Sequence, residues 1–520
     1  MDGSSICNEI KKPIIVEQFI IKDMYTFSSK LKTFSIILMI IGILGIAYGF
    51  LTTPDTIQEV EALEAKSHGE HNGEHEIAKH EAVHEVVETV KNETTPIVDS
   101  IKPTTENSEV VVKDSSSHEV VSTVVAHTEI VKKEEHKVDE HAAHQKHLEH
   151  QLHQLQNKPW AALYVPMIFI LLLSMGTLAF YAIQQVAQAG WSPVLFRVMQ
   201  GITAYLPVAS VIFFVFLILT GLHVFETNHL FAWMQEGITD SKSEHYDKII
   251  TGKSGYLNFP FWIIRAAIFL IGWNLYRHFS RKNCLAQDEA SDNVFYKKNF
   301  NISAMFLVFF IVTESISSWD WIMSLDPHWS STLFGWYVFA SFFVSGITTI
   351  CMVTLYLKNN GYLENVNTSH IHDLAKFMFG ISVFWTYLWF SQFMLIWYAN
   401  IPEEVTYFKT RIDVYTLPFW GAVAMNFVFP LLILINTDFK RISWVLTMAG
   451  VVILLGHYVD FFNMIMPATV GENWFIGISE ICSLLFFVGL FIFVVFTALT
   501  KSPLLPKRNP FIEESKHFHY

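Results

Sequence analysis

The sequence has few cysteines, and none of them stands in a spacing that binds a redox centre. The four, Cys7, Cys284, Cys351 and Cys482, are far apart in the chain. Attachment of a c-type haem uses a CxxCH sequence, and iron–sulfur and zinc sites use closely spaced cysteine pairs. The sequence therefore predicts no metal site built on cysteine. Cys351 and Cys482 lie in apolar runs, which is typical of small residues in a core.

Histidines placed to hold a transmembrane haem are also lacking. A bis-histidine haem needs histidines on facing helices at membrane depth. Only His223 and His457 fall within apolar runs, each near the end of its run, and His370 and His372 stand at a boundary. No haem, flavin or cluster motif occurs elsewhere in the chain. We therefore predict no bound cofactor and no catalytic residue in this chain alone, so that partner proteins carry any electrons involved.

A basic surface of the kind that binds nucleic acid is absent as well. The formal net charge is −13, and residues 52–158 carry 22 Asp and Glu against 10 Lys and Arg, together with thirteen histidines. This composition predicts an acidic loop that is largely disordered or loosely helical, without a specific metal site, and no nucleic-acid partner. Its last part differs, because Leu148, Leu152 and Leu155 follow helical spacing and predict a helix that continues into the next span.

Long apolar runs make up most of the remaining sequence. The chain is 52% hydrophobic, with 45 Phe and 15 Trp, which is too apolar for a soluble domain of 520 residues. We predict an all-α polytopic membrane protein with ten transmembrane helices. The predicted spans are 34–51, 160–186, 203–225, 257–279, 300–319, 332–357, 371–398, 415–436, 441–463 and 474–500. No cleavable signal peptide is apparent ahead of the first span.

The predicted spans divide the chain into segments, and the charge of the short loops predicts on which side of the membrane each segment lies. These are an N-terminal segment (1–33), a first helix (34–51), the acidic loop (52–158), a domain of nine helices (159–500) and a tail (501–520). Short loops on one side carry most of the Lys and Arg, and such loops face the cytoplasm. We therefore predict that both termini are cytoplasmic. The acidic loop and the turns at 319–335 and 401–415 then lie on the outer, periplasmic side.

The turn from Trp319 to Gly335, WDWIMSLDPHWSSTLFG, concentrates polar and indole groups between two spans. The Asp-Pro pair at 326–327 disfavours helix there. One interpretation is a belt of tryptophans at the membrane boundary. The other is a proton or quinone site at the outer surface, because ionisable groups at a membrane boundary are functional candidates. The candidates for that site are Asp320, Asp326, His328 and Arg265.

Further ionisable residues fall within the spans, where each needs a partner or a water-filled path. His457 and Asp460 in the ninth span are three residues apart and share a helix face, as we also predict for His223 and Glu226 at the end of the third. We predict that Arg265 pairs with Glu314. The full set of proton-path candidates is His223, Glu226, Glu314, His457, Asp460 and Glu480, and satisfied boundary groups are the alternative. On the inner side, Asn274, Asn426, Asn436 and Asp438 either complete a path or cap helix ends.

The turn NIPEEVTYFKTR, at 400–411, holds a compact set of charges. Glu403 and Glu404 stand near Lys409 and Arg411, which predicts a solvated ion-pair network of small energetic value. The same four residues are candidates for docking another protein of an assembly.

Several of these segments together resemble one family of membrane proteins. They are GWSPVLFRVMQGITAYLPVA (190–209), KSGYLNFPFWIIRA (253–266), WDWIMSLDPHWSSTLFGWY (319–337), FWTYLWFSQFMLIWYANIPEEV (384–405) and NFVFPLLILINTDFKR (426–441). They resemble the NrfD-like membrane family, in particular the type known as quinone-binding subunit 2 in alternative complex III, the bacterial quinol:cytochrome c oxidoreductase. The similarity runs from about residue 160 to 501. The acidic, histidine-rich insertion departs from the shorter first loop expected in that family.

This resemblance implies a fold, an assembly and a role. The expected fold is two four-helix bundles with flanking helices. The expected partners are a second, homologous NrfD-like membrane protein, an iron–sulfur protein, c-type haem proteins, membrane lipid and, in some assemblies, a terminal oxidase. The implied role is scaffold, quinone contact and proton path where menaquinol or ubiquinol is oxidised, in the respiratory chain of a bacterial inner membrane. A secondary transporter and a purely structural membrane anchor remain the alternatives.

Overall fold

The computed structural model describes residues 24–70, 118–243 and 245–519, and within these ranges the chain forms helices and turns without a β-strand. Ten of the described helical segments are long and apolar enough to cross a membrane, as the sequence predicts. In a membrane, a helix satisfies its backbone hydrogen bonds internally, which explains why each apolar run becomes one. The chain is therefore an all-α, multi-pass membrane protein.

The helices are numbered in chain order. They are α1 (Ser29–Leu51), α2 (Ile57–Glu70), α3 (His118–Val186), α4 (Phe196–Ile202), α5 (Tyr205–Gly221), α6 (Lys248–Lys253), α7 (Phe259–Glu289), α8 (Val294–Trp321), α9 (Leu333–Asn359), α10 (Thr368–Ala399), α11 (Pro402–Asp413), α12 (Thr416–Val423), α13 (Phe429–Leu434), α14 (Ser443–Val470), α15 (Ile478–Leu499) and α16 (Ile512–Lys516). A π-helical turn, Ala424–Val428, joins α12 to α13.

The described residues divide into two compact units, one from residues within 54–155 and the other from the remaining described residues. The described parts of the first unit are helical, namely α2 and the beginning of α3. The predicted helix through Leu148 is confirmed, because α3 continues without a break into the next span. The described parts of the predicted acidic loop, 52–70 and 118–158, are mostly helical, so disorder is wrong there, and residues 71–117 lie outside the described residues.

Eight spans of the larger unit pack as two sets of four. The first set is α3, α4–α5, α7 and α8, and the second is α9, α10, α12–α13 and α14. The spans α3 and α9 lie where the sets meet. There the backbone of Gly176 in α3 lies so close to Phe342 of α9 that an added Cβ would come within 2.6 Å of the Phe342 carbonyl oxygen. These two spans are the most deeply buried of the ten.

The remaining spans, α1 and α15, pack closely against each other at the side of the body. Glycines on α1 allow this approach, because a Cβ at Gly42 would lie 2.5 Å from Phe486 and one at Gly45 would lie 2.2 Å from Cys482. Most of α1 is otherwise exposed in the chain on its own. These two helices are the flanking spans that the sequence analysis expects.

Antiparallel packing gives the larger unit two ends. The turn end holds residues 222–258, 322–332, 400–415 and 471–477, and contacts between these turns confirm that they lie together. The tail end holds residues 290–293, 360–367 and 435–442. The C-terminal residues 501–519 lie along it as an ordered strap. The strap bonds the first set through Lys507 N to Asp288 Oδ1 (2.9 Å) and the second through His370 Nε2 to the Ser515 carbonyl oxygen (3.0 Å).

Two predictions at the turn end are wrong. The third span ends at Gly221, so His223, with a φ of 50°, and Glu226 lie in an exposed turn rather than on one helix face. The belt interpretation of Trp319, Trp321 and Trp329 is wrong for two of the three, because Trp321 and Trp329 are buried, whereas Trp319 is half-buried. The Trp329 ring stacks on Tyr407, with ring centroids 4.0 Å apart. These indoles pack protein against protein.

Candidate functional site

A buried carboxylate, Asp460 of α14, lies at the centre of a polar cluster in the second set of helices. Its side chain is 2% exposed. Tyr337 Oη donates to Asp460 Oδ1. Asp460 Oδ2 accepts from Ser341 Oγ at 2.8 Å and from Trp385 Nε1 at 2.9 Å. The three donors come from α9 and α10. The cluster is therefore built from facing helices, and each of its hydrogen-bond donors to Asp460 is uncharged.

His457 lies one turn before Asp460 on the same helix face, which confirms the spacing prediction. Its Nδ1 is 2.9 Å from Ser341 Oγ and 3.8 Å from Asp460 Oδ2. Ser341 has one hydroxyl proton, and it goes to Asp460, so the Nδ1–H of His457 donates to Ser341 Oγ. In the neutral ring, Nε2 is then an acceptor. This atom is fully buried and has no hydrogen-bond partner.

The π-helical turn places Asn426 in the interior of the second set of helices. Pro430 lacks the N–H that would bond the carbonyl of residue 426, so the regular ladder is interrupted at this point. Asn426 is fully buried, and neither polar atom of its side chain has a partner. It faces α14 at Gly456, where a Cβ would lie 2.1 Å from Asn426 Oδ1. Asn426 therefore lies mid-span against α14 at Gly456 and does not cap a helix end.

A small cavity of about 10 Å³ separates Asp460 from the turn end. Polar residues around it are Tyr337, Gln392, Tyr407, Arg411, Asp460 and Asn463. This is about the volume that one water molecule needs, and the lining offers the polar partners that a buried water requires. Gln392 extends the polar route outward, since its Oε1 accepts from Ser331 Oγ at 2.8 Å in the turn after α8. The cavity can thus hold a water but not a quinone ring.

Arg411 closes the cavity from above and does not join the predicted ion-pair network. Its guanidinium donates to the carbonyl oxygens of Tyr407 (2.6 Å) and Asn463 (3.0 Å), and its Cζ lies 3.4 Å from the centroid of the Tyr407 ring. Glu403 and Lys409 are exposed and Glu404 is half-buried. No ion pair connects these side chains to each other within the part of α11 that is described. Arg411 is thus a buried structural cation, and docking at the other three stays a prediction.

The first set of helices has its own buried carboxylate, Asp320 of α8. Arg265 of α7 clamps it, with Nε to Oδ2 at 2.7 Å and Nη2 to Oδ1 at 2.8 Å. The guanidinium also donates to the Tyr256 carbonyl oxygen, and its Cζ lies 4.0 Å from the centroid of the Tyr256 ring and 4.3 Å from that of Phe261. Asp320 is fully buried. This is a closed ion pair with both charges satisfied.

The predicted pairing of Arg265 with Glu314 is therefore wrong. Side chains on a helix point toward its N-terminus, so Arg265 extends toward the turn end and reaches Asp320. Glu314 lies deeper in α8, where Oε1 accepts from Ser315 Oγ at 2.6 Å and the buried Oε2 has no partner. Glu480 caps α15, because its Oε2 accepts from the Gly477 N–H at 2.9 Å. Neither residue contributes to the Asp460 cluster.

The structure separates the predicted surface site into different contacts. His328 is half-exposed, and its Nε2 lies 2.7 Å from Asp247 Oδ2. Asp247 also caps α6, with Oδ1 accepting from the backbone N–H groups of Ile249 and Ile250. The Ile250 N–H and the His328 side chain lower the pKa of Asp247 below its ordinary value of 3.8. Asp326 is partly buried and joins neither Asp247 nor the Arg265 pair.

The residues that sequence reasoning missed in the Asp460 cluster are neutral ones. Tyr337, Ser341 and Trp385 read as ordinary members of apolar runs, and only Pro430 signals the π-helical turn that places Asn426. Among the described residues, no three His, Cys, Asp or Glu side chains gather in a way that could hold a metal ion. No family model matches this sequence, and no curated protein matches it. Chemically, the cluster can hold and pass on a proton beside a water.

Proposed function

We propose that this chain is an integral membrane component of a quinol:cytochrome c oxidoreductase of the alternative complex III type, in a bacterial inner membrane. Both termini face the cytoplasm in this proposal, so the turn end faces the periplasm. The chain contributes scaffold and a proton path, with Asp460 as its protonatable group. Haem c and iron–sulfur clusters belong to partner proteins, which assemble with this chain and with a second, homologous NrfD-like membrane protein.

The Asp460 cluster is the observation that carries the proposal. A buried carboxylate held by neutral donors, next to an unpaired imidazole nitrogen and a polar cavity, can change its protonation state without leaving a stranded cation. Oxidation of menaquinol or ubiquinol releases two electrons and two protons. The cavity beside Asp460 is too small for the quinol itself. Asp460 therefore serves as an acceptor that receives protons through water and polar side chains from a quinol bound elsewhere in the assembly.

Purification from native membranes in a mild detergent tests the assembly. We expect the chain to copurify with haem-containing and iron–sulfur proteins, identified by mass spectrometry and by visible absorption spectra. The first preparation carries its affinity tag after the strap (501–519). The matched control carries the tag at the N-terminus, because a tag beside the strap can displace partners. The proposal is contradicted if both preparations yield a stable chain without redox partners.

One observation favours a secondary transporter instead. The eighth span is interrupted by the π-helical turn at Ala424–Val428, and transporters of this class place their sites at interrupted helices. Solute flux in vesicles that contain this chain alone would support that function. A purely structural anchor would show unchanged turnover after loss of the Asp460 carboxylate.

A further inference from the structure

A groove runs along the outside of the first set of helices, between α5 and α7. Its volume is about 460 Å³, within the range of sites for small molecules. The walls are mainly apolar and come from Pro207, Val211 and Val215 on α5 and from Ala267 and Ile271 on α7. Residues 267–278 of α7 cover about 16 Å at 1.5 Å per residue. The groove thus has the length and surface of a site for part of a hydrocarbon chain.

The groove becomes polar toward the tail end. Asn274 Nδ2 donates to Ser210 Oγ at 2.8 Å and to the Leu270 carbonyl oxygen at 2.8 Å, which joins α5 to α7 across the floor. One turn further along α7 lie Arg277 and His278, which complete the lining. The polarity therefore increases in one direction only, as it does along a lipid molecule.

Arg277 has no anionic partner among the described residues that line the groove. Its Nε is buried and has no hydrogen-bond partner, and the lining contains no carboxylate. Two other arginines near the tail end have partners within the protein. Arg197 pairs with Asp288, and Arg281 donates to Ser502 Oγ at 3.3 Å. A buried guanidinium nitrogen without an acceptor costs free energy. The mouth of the groove therefore lacks an anionic acceptor.

The depth of Arg277 indicates which anion that is. It lies 18 residues after Phe259, the first residue of α7 at the turn end, which corresponds to about 27 Å along the helix. The hydrocarbon core of a bilayer is about 30 Å thick, so with Phe259 at one boundary Arg277 would lie close to the opposite one, near the lipid phosphates. Basic pockets between transmembrane helices bind anionic head groups in this way. A quinone has no anionic group to offer Arg277.

We propose that the groove between α5 and α7 binds an anionic phospholipid of the leaflet at the tail end. The lipid phosphate pairs with Arg277 beside His278, and an acyl chain lies along Val211, Val215 and Ile271. This site is separate from the Asp460 cluster and does not depend on the role proposed for it.

Lipid binding can be measured on the protein purified with its native partners in a mild detergent. Native mass spectrometry records the bound lipid after addition of phosphatidylglycerol or of zwitterionic phosphatidylcholine. We expect wild-type protein to retain phosphatidylglycerol preferentially. Arg277→Gln should weaken it about ten-fold, because hydrogen bonds to a charged group contribute about 1.5 kcal/mol or more. The matched control is Lys298→Gln, which removes an exposed charge at the same end outside the groove.

A steric pair of variants tests the groove itself. Ala267→Trp fills it, and we expect retention of both lipids to fall. Val308→Trp adds the same ring at a position of α8 that is 70% exposed, and retention should not change. Equal retention of phosphatidylglycerol by wild type, Arg277→Gln and Ala267→Trp overturns the proposal. The proposal is also overturned if Lys298→Gln and Val308→Trp lose as much bound phosphatidylglycerol as Arg277→Gln and Ala267→Trp do. Quinone that wild type retains and that both Arg277→Gln and Ala267→Trp lose, with phospholipid retention unchanged, also overturns it.

Discussion

Each set of four helices carries one buried aspartate in its last helix toward the turn end, yet the two aspartates have opposite surroundings. Asp320 in α8 accepts hydrogen bonds from Nε and Nη2 of Arg265. Asp460 in α14 is held by a tyrosine, a serine and a tryptophan, with His457 3.8 Å away. The Asp320 carboxylate is paired with a cation, whereas the three hydrogen-bond donors of Asp460 are uncharged. Burial alone therefore does not distinguish the two aspartates, and their hydrogen-bond partners do.

The largest effect should come from opening the clamp. Arg265→Met leaves Asp320 charged, buried and unpaired, and we expect the free energy of unfolding to fall by about 3–5 kcal/mol. The double variant Arg265→Met, Asp320→Leu should recover most of that loss, because an apolar pair leaves no buried charge. Unfolding in mild detergent measures both. If the single variant differs from wild type by no more than about 1 kcal/mol, the value of a surface pair, the clamp is not closed.

The second test acts on the other aspartate. Asp460→Asn keeps the size of the side chain, so we expect normal folding but a fall in quinol turnover and proton release of about 100-fold, the usual worth of a proton-transfer group. Turnover of the purified assembly with a soluble quinol measures it. Asp413→Asn, the same substitution at an exposed carboxylate of α11, is the control. Equal turnover in both variants would make Asp460 a structural residue like Asp320.

A smaller effect is expected from one donor of the cluster. Tyr337→Phe removes a single hydrogen bond to the Asp460 carboxylate, which should reduce turnover about ten-fold, the equivalent of about 1.4 kcal/mol. Tyr205→Phe is matched to it, since Tyr205 is also buried but its hydroxyl has no partner. The same assay applies. A loss of turnover in Tyr205→Phe as large as in Tyr337→Phe would show that any buried hydroxyl matters.

The smallest effect concerns the surface pair of Asp247 and His328. Because the folded pKa of Asp247 lies below 3.8, its contribution is complete above that pH and is lost as the pH falls through the lower folded value. Hydrogen exchange, corrected for intrinsic rates, measures the protection of the Ile249 and Ile250 amides. We expect this protection to fall about five-fold as the pH drops through the folded pKa of Asp247, which corresponds to the free energy that a helix cap contributes. Asp247→Asn should make that protection independent of pH. Protection that does not change with pH in wild type contradicts the assignment.

The sequence predicts the spans well and the partners of their polar groups less well. Hydropathy fixes where helices cross, and the three-residue spacing of His457 and Asp460 places both on one face. Arg265 pairs with Asp320 and not with Glu314 because its side chain points toward the N-terminus of α7. The position of a residue along its span does not include this direction. His223 and Glu226 are misplaced because the helix ends at Gly221, where the Phe259 ring packs too closely for a Cβ.

The donors around Asp460 could not be predicted because their role depends on tertiary contacts. A tyrosine or serine in an apolar run is indistinguishable from its neighbours until another helix faces it. Asn426 illustrates this, since its buried position mid-span against α14 depends on the π-helical turn at Pro430. The acid itself was visible in the sequence, and the neutral residues that define its chemistry were not.

The strap at 501–519 has a consequence for how the protein is made. A ribosome delivers these residues after the ten described spans, so the strap meets helices that have already left the exit tunnel. The contacts of Lys507 with Asp288 and of Ser515 with His370 therefore form only once every span is present, and they fasten the ends of both helix sets in a single step. A chain cut short just before the strap would insert normally yet stay unfastened, so membrane proteases could distinguish it from an intact one.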